Sequence, residues 1–226
     1  MSLYVQDDAV SHELLTQVAE DPNFFPAEMT LHENIGEYLN SYHDEECDCY
    51  APYMFWDGWW NSPADTLRKK VVQNIWSRPN VLPFPTDEII GFEYWTRTFT
   101  VGQHLAVHCD EDTFLYADKH LFRGPATGCV WYGTTESTGG YLELHNAVLP
   151  EGPYALERYK VDEVLSPIED RERIMYKPNR LIVFDAGHRL HEATKVQSGV
   201  RQVMVVNVWH KDCPPTALKT GNFYYE

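Results

Sequence analysis

The sequence predicts an α+β domain in which N-terminal helices buttress an antiparallel β-sandwich or barrel. Before residue 88 two segments carry apolar residues that recur four apart, as in a helix with one buried face. From Ile89 onward the chain offers short runs rich in Val, Ile, Thr and aromatics, punctuated by Gly and Asn, as strands are. The two kinds of segment do not alternate, so a parallel sheet built from βαβ units is excluded. At 226 residues one sizeable core is expected, over a single catalytic domain 1–226. Residues 1–88 form mainly helical support and 89–212 the β core, with an insertion at about 146–179.

The first helix is expected over Ala9–Glu20, where Val10, Leu14 and Val18 share a face and Asp21-Pro22-Asn23 ends the pattern. Leu31–Tyr42 is ambiguous. Tyr50, Tyr53, Phe55, Trp56, Trp59 and Trp60 form an aromatic cluster broken by Asp57-Gly58, read as packing between a helical layer and the sheet rather than as a stacking surface for substrate. Ser62-Pro63-Ala64-Asp65 reads as a helix start, with Ser62 at the N-cap. Leu67, Val71 and Ile75, beside Val72 and Trp76, then continue a helix of about four turns to Arg78-Pro79-Asn80. The strand candidates are Phe92–Val101, His104–His108, Cys129–Tyr132, Tyr141–His145, Leu181–Phe184 and Arg201–Trp209. Asn146–Asn179 is polar, acidic and irregular, and reads as a lid over the site or a solvated insertion.

A net charge of -16 repels a phosphate backbone, so nucleic acid is not expected as a partner. No apolar run is long enough to span a bilayer, and Met1–Asp8 lacks a basic region followed by an apolar core. No membrane association is expected, and a cytoplasmic location is. Five cysteines, an odd number in a long chain, argue against a disulfide framework. Cys47-Asp48-Cys49 with His43 lacks the spacers and the second ligand pair of a structural zinc site, and reads as an acidic loop.

The chemistry centres on His108-Cys109-Asp110. On a strand, residues i and i+2 share a face, so His108 and Asp110 can reach one metal ion together while Cys109 turns toward the core. A second histidine would complete a 2-His-1-carboxylate triad, which leaves positions on iron open. His191 supplies it, with His188 as the competing candidate. Ser198-Gly199 signals a turn, and Arg201 opens the strand after it, sharing a face with Val203, Val205, Asn207 and Trp209. A guanidinium in an apolar strand needs an anion, and its fork suits a carboxylate. Asp112 can line the mouth of the site, whereas His104, His120, His145 and His210 have no partner pattern.

His108-Cys109-Asp110, then Thr138-Gly139-Gly140-Tyr141-Leu142, then Leu181–Asp185 followed by His191 and Arg201, resembles the Fe(II)- and 2-oxoglutarate-dependent dioxygenases, and within them the prolyl 4-hydroxylase-like branch, over about residues 92–209. The resemblance implies a double-stranded β-helix (jelly roll, cupin-like). His108, Asp110 and His191 would hold Fe(II), and Arg201 the distal carboxylate of 2-oxoglutarate. Tyr132 and Tyr94 are the candidates for a further hydrogen bond to that cosubstrate. The implied reaction consumes O2, releases succinate and CO2, and hydroxylates an unactivated C–H of an amino acid, a peptidyl residue such as proline, or a small metabolite. Ascorbate enters as a candidate accessory cofactor.

The family often has Ser or Thr two residues after the arginine, and here it is Val203, which removes one hydrogen bond to the cosubstrate. Asp110, where halogenating relatives leave the position free for chloride, favours hydroxylation. A cupin-like binding protein without catalysis is the alternative, and it would not need Arg201. The acidic residues of the insertion favour a neutral or cationic amino acid, free or in a peptide, over a nucleobase.

Overall fold

The computed structural model describes residues 3–25, 54–79, 81–119, 121–148 and 171–220. The ambiguous segment 31–42 and the Cys47/Cys49 pair lie outside them.

Alternation of apolar and polar residues makes strands with two different faces, and the chain winds these strands between two sheets. In order they are β1 (Tyr4–Gln6), β2 (Met54–Trp56), β3 (Ile89–Phe99), β4 (Leu105–His108), β5 (Thr127–Tyr132), β6 (Ser137–Gly139), β7 (Leu142–Val148), β8 (Arg171–Ile174), β9 (Leu181–Phe184), β10 (Arg189–Ala193), β11 (Val196–Gly199) and β12 (Arg201–His210). The major sheet runs β1-β9-β5-β12-β3-β2, the minor sheet β4-β10-β7-β8, and β6 pairs with β11. Every pairing is antiparallel. Following the chain, β3, β4, β5, β7, β8, β9, β10 and β12 fall in the major, minor, major, minor, minor, major, minor and major sheet. That order is a jelly roll, the double-stranded β-helix expected above.

Among the described residues four α-helices flank it: α1 (His12–Glu20), α2 (Leu67–Trp76), α3 (Thr113–Lys119) and α4 (Thr216–Thr220). The α1 start is set by Ser11, whose side chain accepts from the Leu14 N–H. The second helix starts later than Ser62 and is shorter than four turns. Thr66 is its N-cap, and Ser62 instead accepts from Trp56 Nε1 at 2.8 Å and donates to Asp57 at 2.5 Å, tying the aromatic cluster to its own turn.

The two faces of the major sheet serve different cores. Phe92, Tyr94, Cys129, Trp131, Met204, Val206 and Val208 look outward to Leu14, Val18, Val71, Ile75 and Trp76 of the helices. Trp56, Trp59 and Trp76 gather around Phe92, with ring centroids 5.6–6.2 Å away, as the packing reading of that cluster requires. Phe99, Val130, Tyr132, Ile182, Phe184 and Val203 look inward to Leu142, Leu144 and Ile174 of the minor sheet. Asn179, at φ 57, joins the N-terminal segment to this frame. Its side chain accepts from Val10 N–H (2.8 Å) and Trp131 Nε1 (3.1 Å) and donates to Val10 O (2.9 Å).

The region expected as irregular between 146 and 179 is strand at both of its described ends. β7 continues to Val148, and Arg171–Ile174 is β8, held in register against Leu142–His145. Charged residues hid β8: its three exposed positions, Arg171, Glu172 and Arg173, lie on a sheet edge, and only Ile174 is buried. None of the helices among the described residues is long and apolar enough to cross a membrane.

Candidate metal centre

Cross-strand register makes the centre. His191 lies at the middle of β10, between β4 and β7, directly opposite His108 on one side and Leu144 on the other. Opposed residues on antiparallel strands place their Cβ atoms about 4.5–5.5 Å apart. The two imidazole centroids are accordingly 4.3 Å apart. Asp110, just past the end of β4, is tied down by its own N–H to Ala186 O at 2.8 Å. Its Oδ1 stands 3.5 Å from Nε2 of both His108 and His191. One ligand atom from each of the three residues lies within 4.8 Å of the other two.

Each imidazole is fixed by its other nitrogen. Nδ1 of His108 meets Ala106 O at 2.7 Å, and Nδ1 of His191 meets Arg189 O at 2.9 Å. A carbonyl can only accept, so Nδ1 carries the proton and the Nε2 lone pair faces the carboxylate and any cation between them. Two nitrogens and a carboxylate oxygen on one side, with the rest of the coordination sphere open, suit a divalent transition metal. Asp110 and His191 are buried, and His108 is partly exposed. Burial opposes ionisation of Asp110, but the two histidines outweigh it and hold its carboxyl well below the usual range. Phe184 closes one side of His191 edge-on at 4.9 Å.

The other sequence candidates divide sharply. Arg201 opens β12 on the inner face opposite Phe99, and is 3% exposed. Its Nε donates to Gly140 O at 2.9 Å, the one hydrogen bond of good geometry that its side chain makes to the described residues. The rest of its fork is therefore available to an anion. Its guanidinium lies 4.9 Å from the Phe99 ring and 5.4 Å from the Tyr132 ring. Gly140, at φ 60, makes room for it, since a Cβ there would come within 2.7 Å of Arg201 Cδ. Tyr132 faces the same space beside Arg201, and its fully buried hydroxyl has no hydrogen-bond partner of good geometry among the described residues. Burial pushes the phenol's pKa upward, against the opposing influence of Arg201. An orphaned hydroxyl beside an unfilled guanidinium fits a bound carboxylate.

Tyr94 does not belong to this site. It alternates onto the outer face of β3, in the core under the helices, so its expected contact with a cosubstrate is corrected to a packing role. His188 stands apart from the three ligands, with Nδ1 3.0 Å from Asp185 Oδ1. Asp112 does not line the mouth of the site. It is buried, accepts from Leu115 N–H (3.0 Å) and Thr216 N–H (2.7 Å), and so joins α3 to α4. His145 has a partner after all, Glu192 Oε1 at 3.2 Å, on the side of the minor sheet where Arg171 and Arg173 enclose the buried Glu143. Cys109 is buried, as expected for the residue between two ligands, and burial raises its thiol pKa.

Three inner-face residues had not been singled out as site candidates. Glu93, Arg97 and Asn207 lie on β3 and β12 and are all buried. Glu93 accepts from Trp209 Nε1 at 2.9 Å, and burial pushes its pKa up to about 8. The signal was in the sequence: Glu93 and Arg97 share the parity of Phe99, which Arg201 faces.

No family model and no curated protein matches the chain. Solved structures do. A prolyl-4-hydroxylase from Pseudomonas putida is 13% identical with a TM-score of 0.48, over 92% of this chain and 88% of that one. A prolyl hydroxylase from Trichoplax adhaerens, in complex with a hypoxia inducible factor oxygen degradation domain peptide fragment, is 11% identical with a TM-score of 0.49, over 93% and 84%. An oxidoreductase of the 2OG-Fe(II) oxygenase family from Burkholderia pseudomallei is 14% identical with a TM-score of 0.36, over 67% and 56%.

Proposed function

We propose that this chain is a non-haem Fe(II)- and 2-oxoglutarate-dependent dioxygenase of the prolyl 4-hydroxylase-like branch. It would hydroxylate an unactivated C–H of an amino acid, a peptidyl residue such as proline, or a small metabolite. The observation that carries this reading is the pairing of an open two-histidine, one-carboxylate cluster with a buried arginine whose fork is not filled by the described residues. A binding protein of the cupin type would use the first feature and leave Arg201 as an unexplained buried charge.

When bound, Fe(II) supplies oxygen activation driven by decarboxylation of the cosubstrate to succinate and CO2. The chain supplies the rest. His108 and His191 present fixed Nε2 lone pairs, and Asp110 brings one negative charge, kept ionised by its histidine neighbours. Arg201 takes the distal carboxylate, Tyr132 donates to the same ligand, and Gly140 keeps the approach clear. Phe184, Val203 and Phe99 exclude water around them. Ascorbate is a candidate accessory reductant.

Two measurements test the reading. Anaerobic protein given Fe(II) and 2-oxoglutarate together should develop a weak visible charge-transfer band that neither gives alone. Arg201→Leu should keep iron but lose the band at wild-type cosubstrate concentrations, since truncating one partner of a buried charge pair costs about 2–5 kcal/mol. A wild-type protein that binds iron but shows neither the band nor calorimetric heat with 2-oxoglutarate would overturn the proposal.

A further inference from the structure

Arg97 is a second buried guanidinium on the inner face of the jelly roll, and the described residues give it no partner. It is 8% exposed, and its Nε is buried without a hydrogen bond. No ion pair or ring contact holds it among the described residues. The nearest acid of its own strand and face, Glu93, is engaged with Trp209 instead. A buried cation left unpaired is costly, and a chain retains one where an anion is to be bound.

Register says where that anion would sit. Arg97 is directly opposite Val203, and Val203 is opposite Tyr132 on its other side. Arg201 is two residues from Val203 on the same strand face, so the two arginines are diagonal neighbours across β3 and β12, a spacing of about 7–8 Å. Val203 is the position where a hydroxyl was expected from the resemblance and an apolar side chain stands. Polar groups are thus placed on both sides of Val203: an orphaned phenol on β5 and an unpaired guanidinium on β3. One guanidinium presents two parallel N–H donors and one positive charge, which matches a carboxylate in geometry and in charge.

We propose that Arg97 is a second carboxylate anchor beside Arg201, holding a carboxylate other than the distal one that Arg201 takes. This rests on the function proposed above and names the ligand chemistry of the same site. The carboxylate has two possible sources, the second carboxylate of 2-oxoglutarate or one carried by the primary substrate. A zwitterionic free amino acid would be neutral overall, as the acidic surface favours, and still supply it.

The first test needs no metal. Thermal unfolding of metal-free protein in the Arg201→Leu background is followed with N-acetylglycine, with N-acetylglycinamide and with inorganic phosphate. The carboxylate should raise the melting temperature and the amide should not. Adding Arg97→Met should raise the melting temperature of the ligand-free protein and abolish the carboxylate shift, while Arg97→Lys should keep part of it. The source is then read on otherwise wild-type protein. If Arg97→Met keeps iron but loses tenfold or more in anaerobic 2-oxoglutarate affinity, the cosubstrate supplies the carboxylate. If that affinity is unchanged but L-amino acids no longer stimulate 2-oxoglutarate turnover more than their primary amides do, the substrate supplies it. Equal shifts with carboxylate and amide, a shift with phosphate alone, or an Arg97→Met protein unchanged in every arm would overturn the proposal. Absence of 2-oxoglutarate binding by the wild type would sink the proposed function, and the thermal test of Arg97 would still be readable.

Discussion

The two faces of the major sheet are made by the same strands, one residue out of phase, and they are built to opposite specifications. On the outer face Phe92, Tyr94, Met204, Val206 and Val208 are buried, apolar or aromatic, and packed on α1, α2 and the Trp56–Trp60 aromatics. On the inner face Glu93, Arg97, Asn207, Arg201 and Tyr132 are just as buried, yet several of their polar atoms lack partners. A folded chain satisfies nearly all its buried polar groups; Trp76 Nε1 and Thr98 Oγ1 on the outer side also lack partners among the described residues, but the inner-face orphans Arg97 Nε and the Tyr132 hydroxyl flank Val203 from both neighbouring strands, where a ligand would complete the structure. The outer face gives stability, and on the proposed function the inner face gives up some of it for chemistry.

The sharpest way to break that division is at the metal ligands. His191→Ala should abolish stoichiometric Fe(II) binding, measured by anaerobic titration, and leave a folded protein, whereas His188→Ala should keep most of the iron. The reverse result would shift the metal centre by one turn of the chain. On the outer face, Phe92→Ala should cost about 3–5 kcal/mol in urea unfolding, because it removes the ring around which four tryptophans pack. Iron affinity per folded molecule should not change. If it does, the two faces are coupled.

Glu93 sharpens the comparison through pH. Its folded pKa is about 8 against 4.5 for an exposed Glu, because burial penalises the charged form. Between those values the native state holds a proton that the unfolded state has released, so stability is full at the acid end and declines as pH rises through the folded pKa. Metal-free Glu93→Gln should remove this decline, on the order of 3 kcal/mol between pH 5 and 8. A wild-type stability that is flat over that range would refute the assignment. The smallest effect contrasts two tyrosines. Tyr132→Phe should weaken 2-oxoglutarate by one hydrogen bond, about 0.5–1.5 kcal/mol, and Tyr94→Phe should leave its affinity unchanged by calorimetry.

What could be read in the sequence depended on whether one strand carried the signal. Leu181–Phe184 is bounded as expected, because four consecutive buried aliphatic and aromatic residues have no other reading in a β-rich segment. Arg201 and its face partners followed from alternation alone. Six short strands were not anticipated: β1, β2, β6, β8 and β11 are at edges or in a two-stranded pair, so their pattern is set by neighbours, and β10, central in the minor sheet, carries Arg189, His191 and Glu192 among its five residues. The start of α2 was displaced because Ser62 found a side-chain partner, Asp57, that sequence spacing cannot reveal. In the site, the parity of β3 separated Tyr94 from Phe99. The shift of parity near Gly91 and the register against β12 had to be seen before the inner face could be assigned.

The backbone carbonyls that hold both imidazoles have a further consequence. Because Ala106 O and Arg189 O fix the rings without help from an ion, the ligand set exists before any metal arrives. Zinc fingers, by contrast, fold only around their metal. Here a chelator should strip the centre and leave the jelly roll standing, ready for reloading. A pocket prepared in advance takes what is offered in the order nitrogen and oxygen ligands impose, with nickel, copper and zinc ahead of iron. On the proposed function, occupancy by iron would then be a matter of supply, and the activity would read the metal balance around the chain.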